Sequence, residues 1–364
     1  MSDDHVSAAT RTKLARSVLR NNLRVKPGET VVVEAWTHTL PWAVTFAREV
    51  RRMGAMPLVP YEDEDMYWDA VKDGGDKLLG KAAAHEWAAL AKTDVYIHMW
   101  GPGDRVRLNS IPDDQADHLF AYNNSWYNAA SKAGLRGARM EIGRPYPSLA
   151  RAYGYDLSKW TDQLVRATMY SPDKLERAVA PVARALERGK RLHIYDDNGT
   201  DLTLGLAKRK AATYTGRPNL KKPFQMLTTL PTGSLRVALD ETVAEGTIVG
   251  NRTNYYDDAK ATGGVFRFRR GKLTDAEYEH GGERFKKAYK TGGKGRDRPG
   301  IFSIGFNPEL HNTPQVEDVE LGAVMMSVGG NKFFRGKNTS PLFAWVTNVG
   351  ATVEVDGKKL SFTG

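Results

Sequence analysis

Apolar residues recur at helical spacing in residues 9–22 (Leu14, Val18, Leu19), with Thr10 as a cap, and a turn follows at Lys26-Pro27-Gly28-Glu29. Residues 30–36 (TVVVEAW) are β-branched and mostly apolar, the pattern of a strand buried on both faces. Pro41 opens a helix carrying Val44, Phe46, Ala47 and Val50, which Gly54 stops. The same reading predicts strands at 56–59, 94–100 and 138–142, and helices at about 76–92 and 113–133. Strands alternating with helices of this length predict βαβ units and a mostly parallel sheet.

The pattern changes after a helix that Ser171-Pro172-Asp173 begins and that runs to about Arg188. Beyond it come short strands separated by glycine turns, starting with a hairpin of 193–196 and 202–206 around Asn198-Gly199. The predicted fold is α/β. It has an N-terminal, mostly parallel α/β domain at residues 1–188 and a C-terminal α+β domain at residues 189–364.

Composition narrows the chemistry. The 364 residues include no cysteine, which excludes disulfides, zinc–thiolate sites, iron–sulfur clusters and cysteine nucleophiles. No apolar run approaches the ~18 residues of a membrane span. The first ten residues are polar, unlike a secretory signal, so a cytoplasmic protein without a membrane partner is expected. The formal net charge of +10 is uneven: residues 184–222 carry +6 and residues 260–298 carry +7, leaving the rest at −3. Such a surface steers anions. Without an RNA-binding or helix-turn-helix signature, the expected partner is a small molecule rather than nucleic acid.

Several blocks, in collinear order over nearly the whole chain, resemble the thermophilic aminopeptidases, the M29 metallopeptidase family. They are Leu23-Arg-Val-Lys-Pro-Gly-Glu-Thr-Val-Val-Val33, Gly54-Ala-Met-Pro57, Asn198-Gly-Thr-Asp-Leu202, Leu230-Pro-Thr-Gly233, Glu245-Gly-Thr-Ile248, Ile304-Gly-Phe-Asn-Pro308, Gly322-Ala-Val-Met-Met-Ser-Val-Gly329 and Gly336-Lys-Asn-Thr-Ser340. The resemblance implies a C-terminal domain that holds the active site, a homodimer, and two metal ions held by two glutamates, two histidines and an aspartate.

At those five ligand positions this chain has Ser234, Ile301, Met325, Phe343 and Trp345. These side chains lack the carboxylate oxygens and imidazole nitrogens that a divalent pair needs. They also remove the His-x-Asp pair of the dihydroxypyridine dioxygenases, which share the fold. The expectation is therefore an enzyme with no metal and no other cofactor, of hydrolase or lyase type, acting on a small aromatic or anionic molecule. Two alternatives stand beside it. One is a metallo-aminopeptidase with shifted ligands among Glu309, His311, Glu317 and Asp318. The other is a non-catalytic small-molecule-binding homologue.

Met325, Phe343 and Trp345 are expected to wall one cavity, since ligand positions converge. Lys332 and Asn338 lie beside that wall in sequence, and Asn254 and Tyr255 fall in the polar–aromatic run 251–256; all four are substrate-binding candidates. Lys337, Ser340 and His38 are the catalytic candidates. A serine (Ser234, Ser303 or Ser327) beside Lys332 or Lys337 suits a Ser–Lys arrangement, and His38 follows the end of the first strand, where open α/β sheets place ligands. Of the eight histidines, His280 and His311 also lie near the C-terminal blocks. His5 is in the tail, His98 in a buried strand, His193 on another strand, and His85 and His118 on helix surfaces.

Overall fold

The computed structural model describes residues 6–73, 80–81, 83–221, 225–256 and 259–362, without the side chains of residues 113–120. His5, the side chain of His118 and part of the helix expected at 76–92 lie outside these residues.

The chain divides into two compact units. The first comprises residues up to Met169 together with Gly216–Pro231, and the second comprises Tyr170–Thr215 with the chain from Thr232 onward. A boundary at residue 188/189 thus falls one helix late. The helix Pro172–Arg188 buries Leu175, Val179, Val182 and Leu186 in the core of the second unit's sheet. The boundary also misses the return of 216–231 to the first unit.

In the first unit a five-stranded parallel sheet runs in the order Leu227–Leu230, Arg136–Met140, Val95–Met99, Thr30–Val33, Met56–Leu58. Four of these strands overlap the segments predicted at 30–36, 56–59, 94–100 and 138–142. The fifth, Leu227–Leu230, reaches the sheet from beyond the second unit's first strands and has no local sequence cue. The helix Leu40–Arg52 begins with proline in its first turn and buries Trp42, Ala43, Phe46 and Val50. The helix Asp113–Ala133 ends on Gly134, whose φ of +70° suits glycine at a helix end. The helix Glu64–Lys72, capped by Asp63, goes unpredicted.

The second unit is built on an antiparallel sheet. Its spine is the 16-residue strand Ser234–Val249, which pairs with Pro299–Gly305; that strand pairs with Ala323–Gly329, and it in turn with Phe343–Val349. The predicted hairpin is present as Arg191–Tyr195 and Asp201–Leu206. Side chains alternate across a strand. One face of the sheet therefore carries Leu235, Val237, Phe302, Ile304, Val324, Met326, Ala344 and Val346 into the main core. The opposite face carries the residues between them. Among the described residues no helix is long and apolar enough to cross a membrane.

Candidate functional site

All five ligand-position residues lie on that opposite face, and strand register sets their spacing. Arg236 pairs with Ser303, which pairs with Met325, which pairs with Thr347. One row along, Ala238 pairs with Ile301, and Ser327 pairs with Trp345. Ser234 lies two residues before Arg236, and Phe343 two before Trp345, so both share the face. Ile301, Met325 and Ala238 form a small buried apolar cluster against which Trp345 and Phe334 pack.

The patch is sealed on one side and open on the other. Ile301 and Met325 are 0% and 4% exposed, and Ser234 is buried with them, whereas Phe343 is 42% exposed and Trp345 is half-buried. The Trp345 ring lies 5.6 Å from Phe343 and 5.7 Å from Tyr256, and the Arg284 guanidinium stands 5.1 Å from the Tyr256 ring centroid. The result is an aromatic shelf against a filled inner wall. The inner half of the expected cavity is occupied by Ile301 and Met325, because a void there would cost stability in proportion to its volume. Two surface grooves lie elsewhere. One, in the first unit, is lined by residues including Thr37, Leu40, Val44 and Arg48, and the other follows residues 276–283; neither includes a ligand-position residue.

Polar groups border the shelf. Asn254, buried, donates from Nδ2 to the Trp345 carbonyl at 2.5 Å. Tyr255 buries its ring, and its N–H donates to Glu317 Oε1 at 3.5 Å. The Trp345 indole also donates to the Glu317 carboxyl, yet burial pushes this acid up to about 8, with nearby Asp318 adding to the rise. Asp318 accepts from Arg236 Nη2 at 2.8 Å and from the Ser303 hydroxyl at 3.4 Å. Around this shelf, the buried atoms Asn254 Oδ1, Thr347 Oγ1 and Arg236 Nε find no hydrogen-bond partner among the described residues. A buried polar atom left unpaired costs about 1–3 kcal/mol, so such atoms mark places where a polar group completes the site.

The other candidates are placed differently. Asn338 donates to the carbonyls of Gly295 (2.8 Å) and Gly329 (2.7 Å) and accepts from the Ser340 N–H at 3.0 Å. The Ser340 hydroxyl donates to the Gly292 carbonyl at 2.5 Å and accepts from the Leu342 N–H at 3.2 Å. Asn331 joins them, donating to Gly300 and to Glu241. Burial alone would raise Glu241, but Arg209 grips both of its oxygens and the carboxyl is held at about 2. Asn338 and Ser340 thus stitch the loop between two strands, and the Ser340 hydroxyl is not a free nucleophile. Lys332 and Lys337 have exposed side chains on this loop.

His38 belongs to the first unit. Its Nε2 meets the Gly143 carbonyl at 2.9 Å, and burial lowers its pKa. His193 pairs with Asp201 at 2.8 Å, and His280 borders the groove at 276–283.

Arg236 and Thr347 escaped the sequence reading, although period-two counting from Ser234 and Trp345 puts both on this face. Glu317 was weighed only as a metal ligand, because its burial comes from the fold.

A mostly parallel α/β unit and a second unit built on an antiparallel sheet define the class of fold, that of the M29 metallopeptidases. A family model, thermophilic metalloprotease (M29), matches residues 8–304, and the chain belongs to that family. Wild-type AmpT from Thermus thermophilus superposes with a TM-score of 0.67 at 19% identity, over 97% of this chain and 97% of that one. The 2,5-dihydroxypyridine dioxygenase of Pseudomonas putida KT2440 superposes with a TM-score of 0.62 at 17% identity, over 97% and 96% of the two chains. No curated protein matches this chain in sequence.

The residues present do not fit the family's metal pair. The face offers one serine hydroxyl and four apolar side chains, where hard cations need several anionic or imidazole donors. The alternative ligands do not converge either. His311 Nδ1 lies 3.3 Å from Glu320, which is itself gripped by Arg252, while Asp318 is gripped by Arg236. Among the described residues no group of three or more His, Asp or Glu side chains is arranged to hold a metal ion.

Proposed function

We propose that this chain is a metal-independent enzyme, of hydrolase or lyase type, that acts on a small planar, anionic molecule at the former metal face. The observation carrying this reading is an aromatic shelf on one sheet face whose Trp345 indole donates to the buried carboxyl of Glu317. Trp345, Phe343 and Tyr256 offer ring surface for stacking. The orphaned Arg236 Nε, Asn254 Oδ1 and Thr347 Oγ1 offer donors and an acceptor, and Lys332 and Lys337 add positive charge on the neighbouring loop. Glu317 is neutral near pH 7 and so holds a proton that an ordinary glutamate has lost, the state required of a general acid. Arg236 would meet the developing negative charge, and Asp318 and Ser303 orient it. A dioxygenase on the same fold supports non-peptidase chemistry for this architecture.

Soaking crystals with aromatic carboxylates and heterocycles tests this reading. Ligand density stacked on Trp345 within reach of Arg236 is the expected result; density absent from this face, with leucine or lysine chromogenic amides turned over, would overturn it. The family resemblance further leads us to propose a homodimer, read by light scattering as twice the chain mass.

A second reading, a non-catalytic binding homologue, is favoured by the complete burial of Ile301 and Met325, which fill rather than open the inner half. Under it, Glu317→Gln leaves every function of the protein intact; under the enzymatic reading it abolishes turnover of a bound substrate while leaving ligand affinity in place.

A further inference from the structure

The first unit carries a second concentration of chemistry, which the reading of the former metal face does not use. Its sheet has the doubly wound order in which the first strand, Thr30–Val33, is flanked by the second on one side and the third, Val95–Met99, on the other. Connections leave these two central strands in opposite directions, so a crevice opens at their carboxyl ends, where open α/β sheets place ligands. Glu34 directly follows the first strand there, and Tyr96 and His98 lie on one face of its neighbour.

His98 Nδ1 lies 2.6 Å from Glu34 Oε2, to which the Tyr96 hydroxyl also donates at 3.3 Å. The Trp36 indole donates to Glu34 Oε1 at 3.4 Å. His98 and Glu34 keep 27% and 22% of their side-chain surface exposed, so the pair faces an opening. Register places Arg139 beside His98 on the same face. Arg139 is half-buried, partial desolvation lowers its pKa, and its guanidinium lies 5.1 Å from the Tyr127 ring centroid. No carboxylate pairs with it among the described residues. The nearby Glu141 is taken by Arg144 and by the Trp100 indole. Trp126 packs against Tyr96 at 4.9 Å and against Tyr127 at 5.3 Å, so partly buried rings from the helix Asp113–Ala133 and the strand Val95–Met99 lie on this face beside Arg139.

A guanidinium with no carboxylate partner keeps its donors available, and an arginine fork matches a carboxylate in two parallel hydrogen bonds. The adjacent Glu34–His98 pair can both accept and donate. We propose that this crevice is a second ligand site, taking a small aromatic carboxylate whose anionic group pairs with Arg139 and whose ring lies against Trp126 and Tyr96. Inorganic oxyanions fit less well, because they leave the aromatic side uncovered.

Crystals of the full chain grown with 4-bromobenzoate test this directly. A bromine anomalous peak in the crevice beside Arg139 is expected; peaks only at the Trp345 shelf, or none, would overturn the site, and a peak at Trp345 reports separately on the shelf. Calorimetry gives the second readout. In a Trp345→Ala background, benzoate should bind more tightly than acetate or phosphate. Arg139→Met should weaken it by about ten-fold or more, and Arg139→Lys by less. Equal responses to all three anions, or benzoate affinity unchanged by Arg139→Met, would contradict the proposal.

Discussion

Glu317 is where the residue scale yields its sharpest consequence. Burial raises its pKa to about 8, whereas in the unfolded chain it titrates in the ordinary carboxylate range. The folded state therefore binds the proton more tightly. The resulting stabilisation is complete below the unfolded pKa and is lost as pH rises toward 8. Glu317→Gln keeps the neutral shape and removes the titration. Thermal unfolding should show wild type losing stability relative to the variant between about pH 5 and 8, and parallel curves would refute the raised pKa. At the shelf, Trp345→Ala should cost an aromatic ligand the stacking of one ring, about 0.5–1.5 kcal/mol beyond lost area, read as weaker binding by calorimetry. The family was legible in the sequence through collinear blocks, and so was the aromatic character of Phe343 and Trp345. The filling of the inner half was not, because whether Ile301 and Met325 leave a gap depends on the side chains of three paired strands. Glu317 was legible as an acid but not as a buried one.

At the scale of elements, the segment between Ala323–Gly329 and Phe343–Val349 depends on side-chain amides rather than on secondary structure. Asn338 alone satisfies three backbone groups. Asn338→Ala leaves buried carbonyls and an N–H without partners, and each lost bond costs about 1–3 kcal/mol. Chemical denaturation should show a lower midpoint with an unchanged slope; a neutral substitution would mean that the loop is held by other contacts. In the helix Pro172–Arg188, Leu186 is almost completely buried in the second unit's core, and Leu186→Ala should destabilise by about 2–5 kcal/mol. Elements with strong local signals were readable in advance: the β-branched run at 30–36, the Ser171-Pro172-Asp173 helix start and the Asn198-Gly199 hairpin. The strand Leu227–Leu230 was not, because its partner, Arg136–Met140, lies about ninety residues earlier and no local pattern encodes that pairing. The packing of the helix Pro172–Arg188 into the second unit's core moved the division between units away from Gly189, where the change of pattern alone suggested it.

For the molecule as a whole, an M29 chain has kept the family's architecture, while the face where the resemblance places the metal ligands carries serine, isoleucine, methionine, phenylalanine and tryptophan. The basic segments 184–222 and 260–298 lend the chain a positive field suited to drawing in anions, and rates of ligand capture should therefore fall as salt is raised. The claim on which the functional reading rests is independence from metal. Elemental mass spectrometry of the purified, dialysed protein tests it most directly. The account predicts zinc, manganese, cobalt and iron all well below stoichiometric amounts, and no loss of ligand binding or thermal stability on treatment with a chelator. Stoichiometric metal that survives dialysis, with stability or activity lost to the chelator, would contradict it.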